Sequence, residues 1–388
     1  MDVTETASRF LEFFTAHGHQ LVDGSSLIPH HSDSVLFTTS GMHPLTPYLE
    51  GRPHPLGRRL TGVQRCLRTT DLDDVGDDSH LTVFQMLGSW SLGDYEGPQS
   101  LRWGYELLTA GFGISPGRLH ATVFGGDQDV APDSQSQRTW EELGVPVELS
   151  TDDNWWSNGP TGPCGPDSEI FVWTGTGPPS GSPGTDARWM ELWNHVTMRY
   201  RRLGDGSLEP LSQRSVDTGM GLERLLMVIQ GAQSVFGTDV FEPWVSTLHD
   251  LWRPDGQPRL LADHLRASIV IIADGVLPSA SGRGYVLRRL IRRALTALWR
   301  EDRTRSLGDL PGTLITHTAA RFGQHHDLAA VRAVLRDEER RFAGLLGRGR
   351  KVLARFGPDS KPTSDDLAYL HDTYGLPPDL VTELLAGR

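Results

Sequence analysis

The feature that most constrains the fold is a change in the spacing of apolar residues near residue 255. Between about residues 25 and 250, short apolar runs such as 169–173 and 191–196 alternate with turn residues, which indicates strands. After that point the apolar residues recur at helical spacing. Strands in one part and helices in the other predict an α+β fold, with an antiparallel β-sheet flanked by helices and followed by a mostly α-helical domain.

The same change predicts two domains, a strand-rich domain over 1–253 and a helical domain over 254–388, joined where proline and glycine cluster. The run at 35–39 is predicted to be a strand, and Gly175–Thr185 to be a loop. Apolar spacing predicts helices over 4–19, 99–111, 221–231, 241–252, 287–298 and 328–356.

The composition excludes several classes of protein. The 388 residues include only two cysteines, too few for a disulfide framework, which is typical of a reducing cytoplasm. No run approaches the roughly 18 apolar residues that a membrane helix requires, and the acidic start is unlike a signal peptide. We therefore expect a cytoplasmic protein without a membrane partner.

The charge is divided unevenly along the chain. The net charge is -12, but residues 251–388 carry +6 and the remainder -18. One predicted helix of the basic part presents a stripe formed by Arg288, Arg289, Arg292 and Arg293. Two interpretations remain open, a surface that contacts a polyanion and ordinary variation in surface charge.

Two residues on neighbouring predicted strands are candidates for nucleotide binding. Arg68 follows the strand 63–67 and precedes the acidic run 71–78, so its guanidinium could hold a phosphate or simply pair with those aspartates. Phe84 lies in the returning strand, where it could stack on a base or pack in the core. Either residue taken alone leaves both interpretations open.

Further candidates lie later in the chain. Thr161–Glu169 reads as a tight loop that feeds a strand, with a backbone shaped for close approach. In Asp217–Arg224 the glycines open a helix whose first amides could face an anion. Trp156, Asn194 and Asp217 could form a small polar pocket for an amino group. No pair of histidines at i and i+4, no P-loop and no Gly-x-Ser-x-Gly motif occurs.

Taken together and in order, these segments resemble the N-terminal part of the alanyl-tRNA synthetases, a family of class II aminoacyl-tRNA synthetases. The similarity covers nearly the whole chain. The segments that carry it include Leu36-Phe-Thr-Thr-Ser-Gly-Met42, Gln64-Arg-Cys-Leu-Arg68, Phe84-Gln-Met-Leu-Gly88, Asp153-Asn-Trp-Trp156, Gly162-Pro-Cys-Gly-Pro166, Glu191-Leu-Trp-Asn194, Val216-Asp-Thr-Gly-Met-Gly-Leu-Glu-Arg224, Ala262-Asp-His-Leu-Arg266 and Arg283-Gly-Tyr-Val-Leu-Arg-Arg289.

The resemblance implies that the chain activates L-alanine with ATP and Mg²⁺ as alanyl-adenylate and transfers alanine to tRNA(Ala). By position, Arg68 and Arg224 are the catalytic residues. The resemblance assigns ATP binding to Arg68, Phe84, Met86, Glu191, Gly221 and Arg224, with Glu191 also a candidate ligand of Mg²⁺. It assigns the amino acid to Met42, Trp156, Asn194, Val216, Asp217 and Gly219, and tRNA to Arg288, Arg289, Arg292, Arg293 and Asp379.

The sequence also departs from the family pattern. The segment after Arg68 is short and acidic where the family has a longer loop, and Gln85 and Asp167 replace a glutamate and a cysteine. The sequence ends at Arg388, before the editing and oligomerisation domains, so we expect a short, stand-alone monomer. An alternative function is transfer of alanine to a carrier protein or metabolite. A third is RNA binding without catalysis, which is disfavoured by the joint presence of Arg68, Phe84, Asp217 and Arg224.

Overall fold

The computed structural model describes residues 1–29, 35–151, 153–325, 327–353, 362–374, 376, 378 and 381. The chain forms two compact units. The first comprises Met1–Arg68 and Phe84–Val240, and the second comprises Thr69–Val83 and Phe241–Arg388. The division of function between 1–253 and 254–388 stays a prediction.

The first unit is built on one mixed, mainly antiparallel sheet. Its order is β1-β2-β3-β9-β8-β7-β4-β5, with β6 paired to β7. The pairs β1–β2 and β4–β5 are parallel, while β3–β9, β9–β8, β8–β7 and β7–β4 are antiparallel. The strands are β1 (Gln20–Val22), β2 (Arg59–Leu67), β3 (Val83–Ser91), β4 (Leu119–Phe124), β5 (Val147–Ser150), β6 (Trp155–Ser157), β7 (Gly162–Trp173), β8 (Trp189–Arg202) and β9 (Leu208–Gly221).

Helices flank this sheet, as predicted. Helix α1 begins with a capping box in which the side chains of Asp2 and Glu5 each accept a hydrogen bond from the other residue's backbone N–H. Helix α3 continues into a π-helical turn over Leu107–Gly111. The helices of this unit are α1 (Val3–Ala16), α2 (Thr46–Leu49), α3 (Gly97–Glu106), α4 (Ser134–Leu143) and α5 (Leu222–Gln230).

Two expectations about this unit are wrong. The run 35–39 is irregular rather than a strand. The segment 161–169, predicted to be a loop, lies mostly in β7, which pairs with both β6 and β8. Gly165 allows β7 to lie close to β8, because a Cβ at this position would lie 2.0 Å from the backbone oxygen of Thr197. A register shift between Cys164 and Asp167 accommodates the prolines.

The second unit is helical over the described residues, in agreement with the apolar spacing. Helix α8 buries Leu287, Leu290 and Ile291 completely, and α10 buries Val331 and Phe342. No described helix is long and apolar enough to cross a bilayer. The helices are α6 (Glu242–Trp252), α7 (Pro258–Ala273), α8 (Gly282–Glu301), α9 (Gly312–Arg321), α10 (Leu328–Leu353) and α11 (Ser364–Tyr374).

Candidate active site

Three neighbouring strands of the first unit place the predicted site residues opposite one another. In the β3–β9 pair, Trp90 lies opposite Asp217 and Met86 opposite Gly221. In the β9–β8 pair, Asp217 lies opposite Val196. Residues opposite each other in adjacent strands, and every second residue along a strand, share one face of a sheet. These side chains therefore form one surface.

Asp217 is the buried acid of this surface. Its side chain is almost fully buried, and its Oδ1 accepts a hydrogen bond of 2.6 Å from the indole nitrogen of Trp90. Burial raises the pKa of Asp217 to about 7, and the bond from Trp90 partly opposes that rise. A buried carboxylate held by a neutral donor is suited to bind a cation such as an ammonium group.

Glycines give the large side chains of this surface room to lie close to the backbone. A Cβ at Gly88 would lie 2.3 Å from the Trp90 ring, and a Cβ at Gly41 would lie 2.8 Å from the same ring. A Cβ at Gly219 would lie 2.7 Å from the sulfur of Met86. The absence of side chains at these positions lets the indole and the thioether lie directly on the backbone.

An apolar wall stands beside Asp217. Met42, Trp90 and Val196 belong to one buried cluster, and the half-buried Trp156 packs against it. Val216, predicted to shape the pocket, is adjacent to Asp217 in β9 and therefore lies on the opposite face of the sheet. The residue on the face of Asp217 is Val196, which the sequence analysis did not select because the choice depends on strand register.

Asn194, in β8, lies opposite Gly219 of β9 and contacts a buried polar network. Its Nδ2 donates to Oδ2 of Asp167 at 3.2 Å and to Oε1 of Glu169 at 3.4 Å. Oδ1 of Asp167 accepts a second amide, that of Asn154, at 3.0 Å. Burial raises the pKa of Asp167 to about 7, and burial with the charges of nearby carboxylates also raises the pKa of Glu169.

The predicted nucleotide-binding residues Arg68 and Phe84 also lie together. The Arg68 guanidinium lies 5.3 Å from the centre of the Phe84 ring, and its Nε donates to the backbone oxygen of Thr39 at 3.4 Å. Both side chains are half-buried. Glu223, which the sequence analysis missed, accepts from the backbone N–H of Gln85 at 3.0 Å and so fixes β3 next to Phe84.

Arg224 and Glu191 form an ion pair near the start of α5. The Nη1 of Arg224 donates to Oε2 of Glu191 at 2.9 Å and to the backbone oxygen of Glu191 at 3.0 Å. Gly221 is the residue that precedes the helix, whereas Gly219 still belongs to β9, so only the last glycine opens the helix as predicted. The pair places one cation and one partly exposed carboxylate close together.

The arginine stripe of α8 lies in the second unit and is mostly engaged there. Arg292 is buried and donates to Oε1 of Glu338 at 2.7 Å, and its predicted contact with tRNA stays a prediction. Arg293 donates to the backbone oxygen of Leu72 at 3.0 Å and to Oδ1 of Asp73 at 3.2 Å. The remaining two predicted arginines are half-buried, Arg289 next to Asp73 and Arg288 over Tyr285.

The acidic segment 69–83 therefore has its own partners within the second unit. Besides Asp73, Asp78 pairs with Arg259 at 2.9 Å. Thr82 donates through its backbone N–H and its hydroxyl to the buried Asp263, at 2.9 and 2.5 Å. Asp379, the other predicted tRNA contact, lies outside the described residues.

Residues 5–388 match the family described as tRNA synthetases class II (A). The chain is 43% identical to an alanine–tRNA ligase of Treponema pallidum (strain Nichols), a match that covers 97% of this chain and 67% of the relative. The chain belongs to the alanine–tRNA ligase family. Family membership confirms the resemblance and the α+β class II fold, and with them a ligase.

Other relatives bear the same name. The chain is 40% identical to an alanine–tRNA ligase of Rubrobacter xylanophilus over 100% of this chain and 47% of the relative. It is 39% identical to that of Borrelia hermsii over 99% of this chain and 69% of the relative. The chain thus spans between about half and two thirds of the length of these relatives.

Proposed function

We propose that this chain activates L-alanine with ATP and transfers it to tRNA(Ala). The observation that carries the proposal is the buried Asp217, held by Trp90 beside the apolar wall of Met42 and Val196. This combination fits a small amino acid, with the ammonium group on the carboxylate and the methyl group on the wall.

The nucleotide lies next to this pocket in the proposed complex. Phe84 stacks on the adenine, while the neighbouring Arg68 binds the α-phosphate. The carboxylate oxygen of alanine attacks the α-phosphorus, the bond to the bridging oxygen breaks, and pyrophosphate leaves. Arg68 stabilises the charge that develops on the α-phosphate, and Arg224 binds the terminal phosphates. Positioning and charge stabilisation provide most of the acceleration of such a step.

Magnesium fits this site through the phosphates rather than through a cage of protein ligands. Among the described residues there is no group of three or more acidic, histidine or cysteine side chains that could hold a metal ion. Glu191 is partly exposed and so is the residue that would contact Mg²⁺, which commonly uses one or two carboxylates with phosphate oxygens. Bound Mg²⁺ offsets the charge of the triphosphate.

The acceptor in this proposal is tRNA. The short acidic segment is the sequence feature that favours another acceptor, yet two of its carboxylates, those of Asp73 and Asp78, pair with Arg259, Arg289 and Arg293 of their own unit. These pairs account for part of its charge without reference to the acceptor, and transfer to a carrier protein or metabolite is not favoured. The contacts of Arg288 and Asp379 with tRNA, the monomeric state and the cytoplasmic location stay predictions.

The test is alanine-dependent exchange of pyrophosphate into ATP, followed by transfer of labelled alanine to total tRNA. The intact chain is expected to do both. Arg68→Ala is expected to lower exchange by at least a hundredfold, whereas Arg65→Ala, earlier in the same strand, is expected to change it little. Exchange without charging of tRNA would contradict tRNA as the acceptor. Wild-type activity in Arg68→Ala would contradict the proposed role of Arg68 at the α-phosphate.

A further inference from the structure

The side chain of Asn194 is held in one orientation by groups on its β7 side. An asparagine amide has a donor end and an acceptor end, and which end faces a ligand decides what it can bind. Here Nδ2 donates to Asp167 and, at longer range, to Glu169. The planar geometry of the amide then directs Oδ1 away from these two carboxyl groups.

The acceptor end of Asn194 is buried and has no hydrogen-bond donor within reach among the described residues. Asn194 lies opposite Glu169 on one side and opposite Gly219 on the other. Glycine contributes no side chain, so no side chain of β9 lies opposite Asn194, and the Met86 side chain of β3 covers Gly219. A buried acceptor without a donor is unfavourable in a folded protein, and a ligand that donates a hydrogen bond removes that cost.

Asp167 is suited to hold this orientation because it can only accept hydrogen bonds when it is ionised. Its two oxygens receive two different amides, Nδ2 of Asn154 at 3.0 Å and Nδ2 of Asn194 at 3.2 Å. Asn154 is itself buried and also donates to Oγ1 of Thr122 at 2.9 Å. When Asp167 is ionised, a reversed Asn194 amide would place its oxygen against the carboxylate, with no proton between them.

We propose that Asp167 is a positioning residue for the amino-acid pocket, which it serves by fixing Asn194 with Oδ1 toward the substrate ammonium group. The ammonium group then meets two acceptors, the Asp217 carboxylate and the Asn194 amide oxygen. The inference rests on the proposed function, because it concerns the same pocket. It adds that alanine binding depends on the carboxylate of Asp167, which does not contact the substrate.

The experiment measures pyrophosphate exchange by Asp167→Leu, Asn194→Ala and the double variant. Asp167→Leu is expected to raise the KM for alanine about tenfold, with kcat and the KM for ATP within twofold of the wild-type values. If Asp167 acts through Asn194, the double variant is no worse than Asn194→Ala alone, because coupled residues are not additive. Thermal unfolding of each variant shows whether it folds.

Two further variants keep the test decisive. Asp153→Asn removes a nearby exposed carboxylate that hydrogen-bonds with Ser150, and its KM for alanine is expected to stay within twofold. Asp167→Asn is nearly isosteric, keeps one accepting oxygen and is expected to raise the KM for alanine severalfold. It carries the test if Asp167→Leu does not fold.

The outcomes separate the two proposals. An unchanged KM for alanine in a folded Asp167 variant, or additive effects in the double variant, overturns the role of Asp167 and leaves the proposed function intact. A wild-type chain that shows no alanine-dependent exchange overturns the proposed function, and the role of Asp167 with it.

Discussion

The indole nitrogen of Trp90 lies 2.6 Å from Oδ1 of Asp217, across the pair of strands β3 and β9. The bond joins a neutral donor to an acid that burial would otherwise keep protonated near neutral pH. Trp90 also covers Gly88 and Gly41 and belongs to the apolar wall. One side chain therefore shapes the pocket and favours the charged form of its carboxylate.

Removing this donor should shift alanine binding toward higher pH. Trp90→Phe leaves Asp217 without the indole N–H, so the pKa of Asp217 is expected to rise further above its usual range. A hydrogen bond to a charged group contributes about 1.5–3 kcal/mol, which corresponds to a rise in the KM for alanine of roughly 10- to 150-fold at pH 7. Pyrophosphate exchange measured from pH 6.5 to 9 should show the KM recovering as the pH rises. A pH-independent increase would mean that only packing was lost.

Asp217 should make the unliganded chain less stable as the pH rises from about 4 to about 7. Burial raises the pKa of Asp217 to about 7, so in this range its carboxyl group binds more protons in the native chain than in the unfolded chain. Such a group lowers the free energy of unfolding as the pH rises, whereas the buried His19 and His195, whose pKa values burial lowers, act in the opposite sense. Urea unfolding at several pH values measures the slope for the wild-type chain and for Asp217→Asn, and the difference between the two slopes isolates Asp217. Equal slopes for both proteins would contradict the assignment to Asp217.

Two glycines of the pocket should respond differently to alanine. A Cβ at Gly88 meets the rigid Trp90 ring at 2.3 Å, whereas a Cβ at Gly219 meets the flexible Met86 side chain at 2.7 Å. Gly88→Ala is expected to lower the free energy of unfolding by about 1–3 kcal/mol, and Gly219→Ala by less. Denaturant unfolding compares the two variants. Equal losses would show that the indole moves as readily as the thioether.

The buried pair Arg292–Glu338 should matter to stability rather than to RNA binding. Removing one partner of a buried ion pair costs about 3–5 kcal/mol, because the other charge stays buried. Arg292→Ala should therefore lower the stability of the second unit strongly. Arg288→Ala, one helical turn earlier and only half-buried, should not. A stable Arg292→Ala variant with weakened tRNA binding would support the sequence-based interpretation.

The sequence predicts which helices and strands carry the site, but it does not always predict which face of a strand a residue occupies. The segment Asp217–Arg224 and the position of Phe84 follow from local patterns, whereas Val216, next to Asp217 in β9, lies on the opposite face of the sheet. Val216 and Val196 could not be separated, because a strand's face depends on which residue it pairs with across the sheet. That pairing connects residues far apart in the chain.

The polar network and the arginine stripe show a second limit. Asp167 was noted only as a departure from the family pattern, since its contacts with Asn154 and Asn194 depend on the register shift within β7. A helical wheel places Arg289 and Arg293 on one face of α8, but it does not show what covers that face. Here the covering segment comes from residues more than 200 positions earlier.

The packing of segment 69–83 against α7 and α8 makes the segment and these helices a single module for protein engineering. A chimera that receives a longer, basic segment from a relative but keeps this α8 would set like charges against Arg289 and Arg293, and would lose the bond from Thr82 to Asp263. An excised fragment ending at Val240 would keep the segment and lose every helix that holds it. Segment and helices must therefore be exchanged together, even though the chain between them builds the active site.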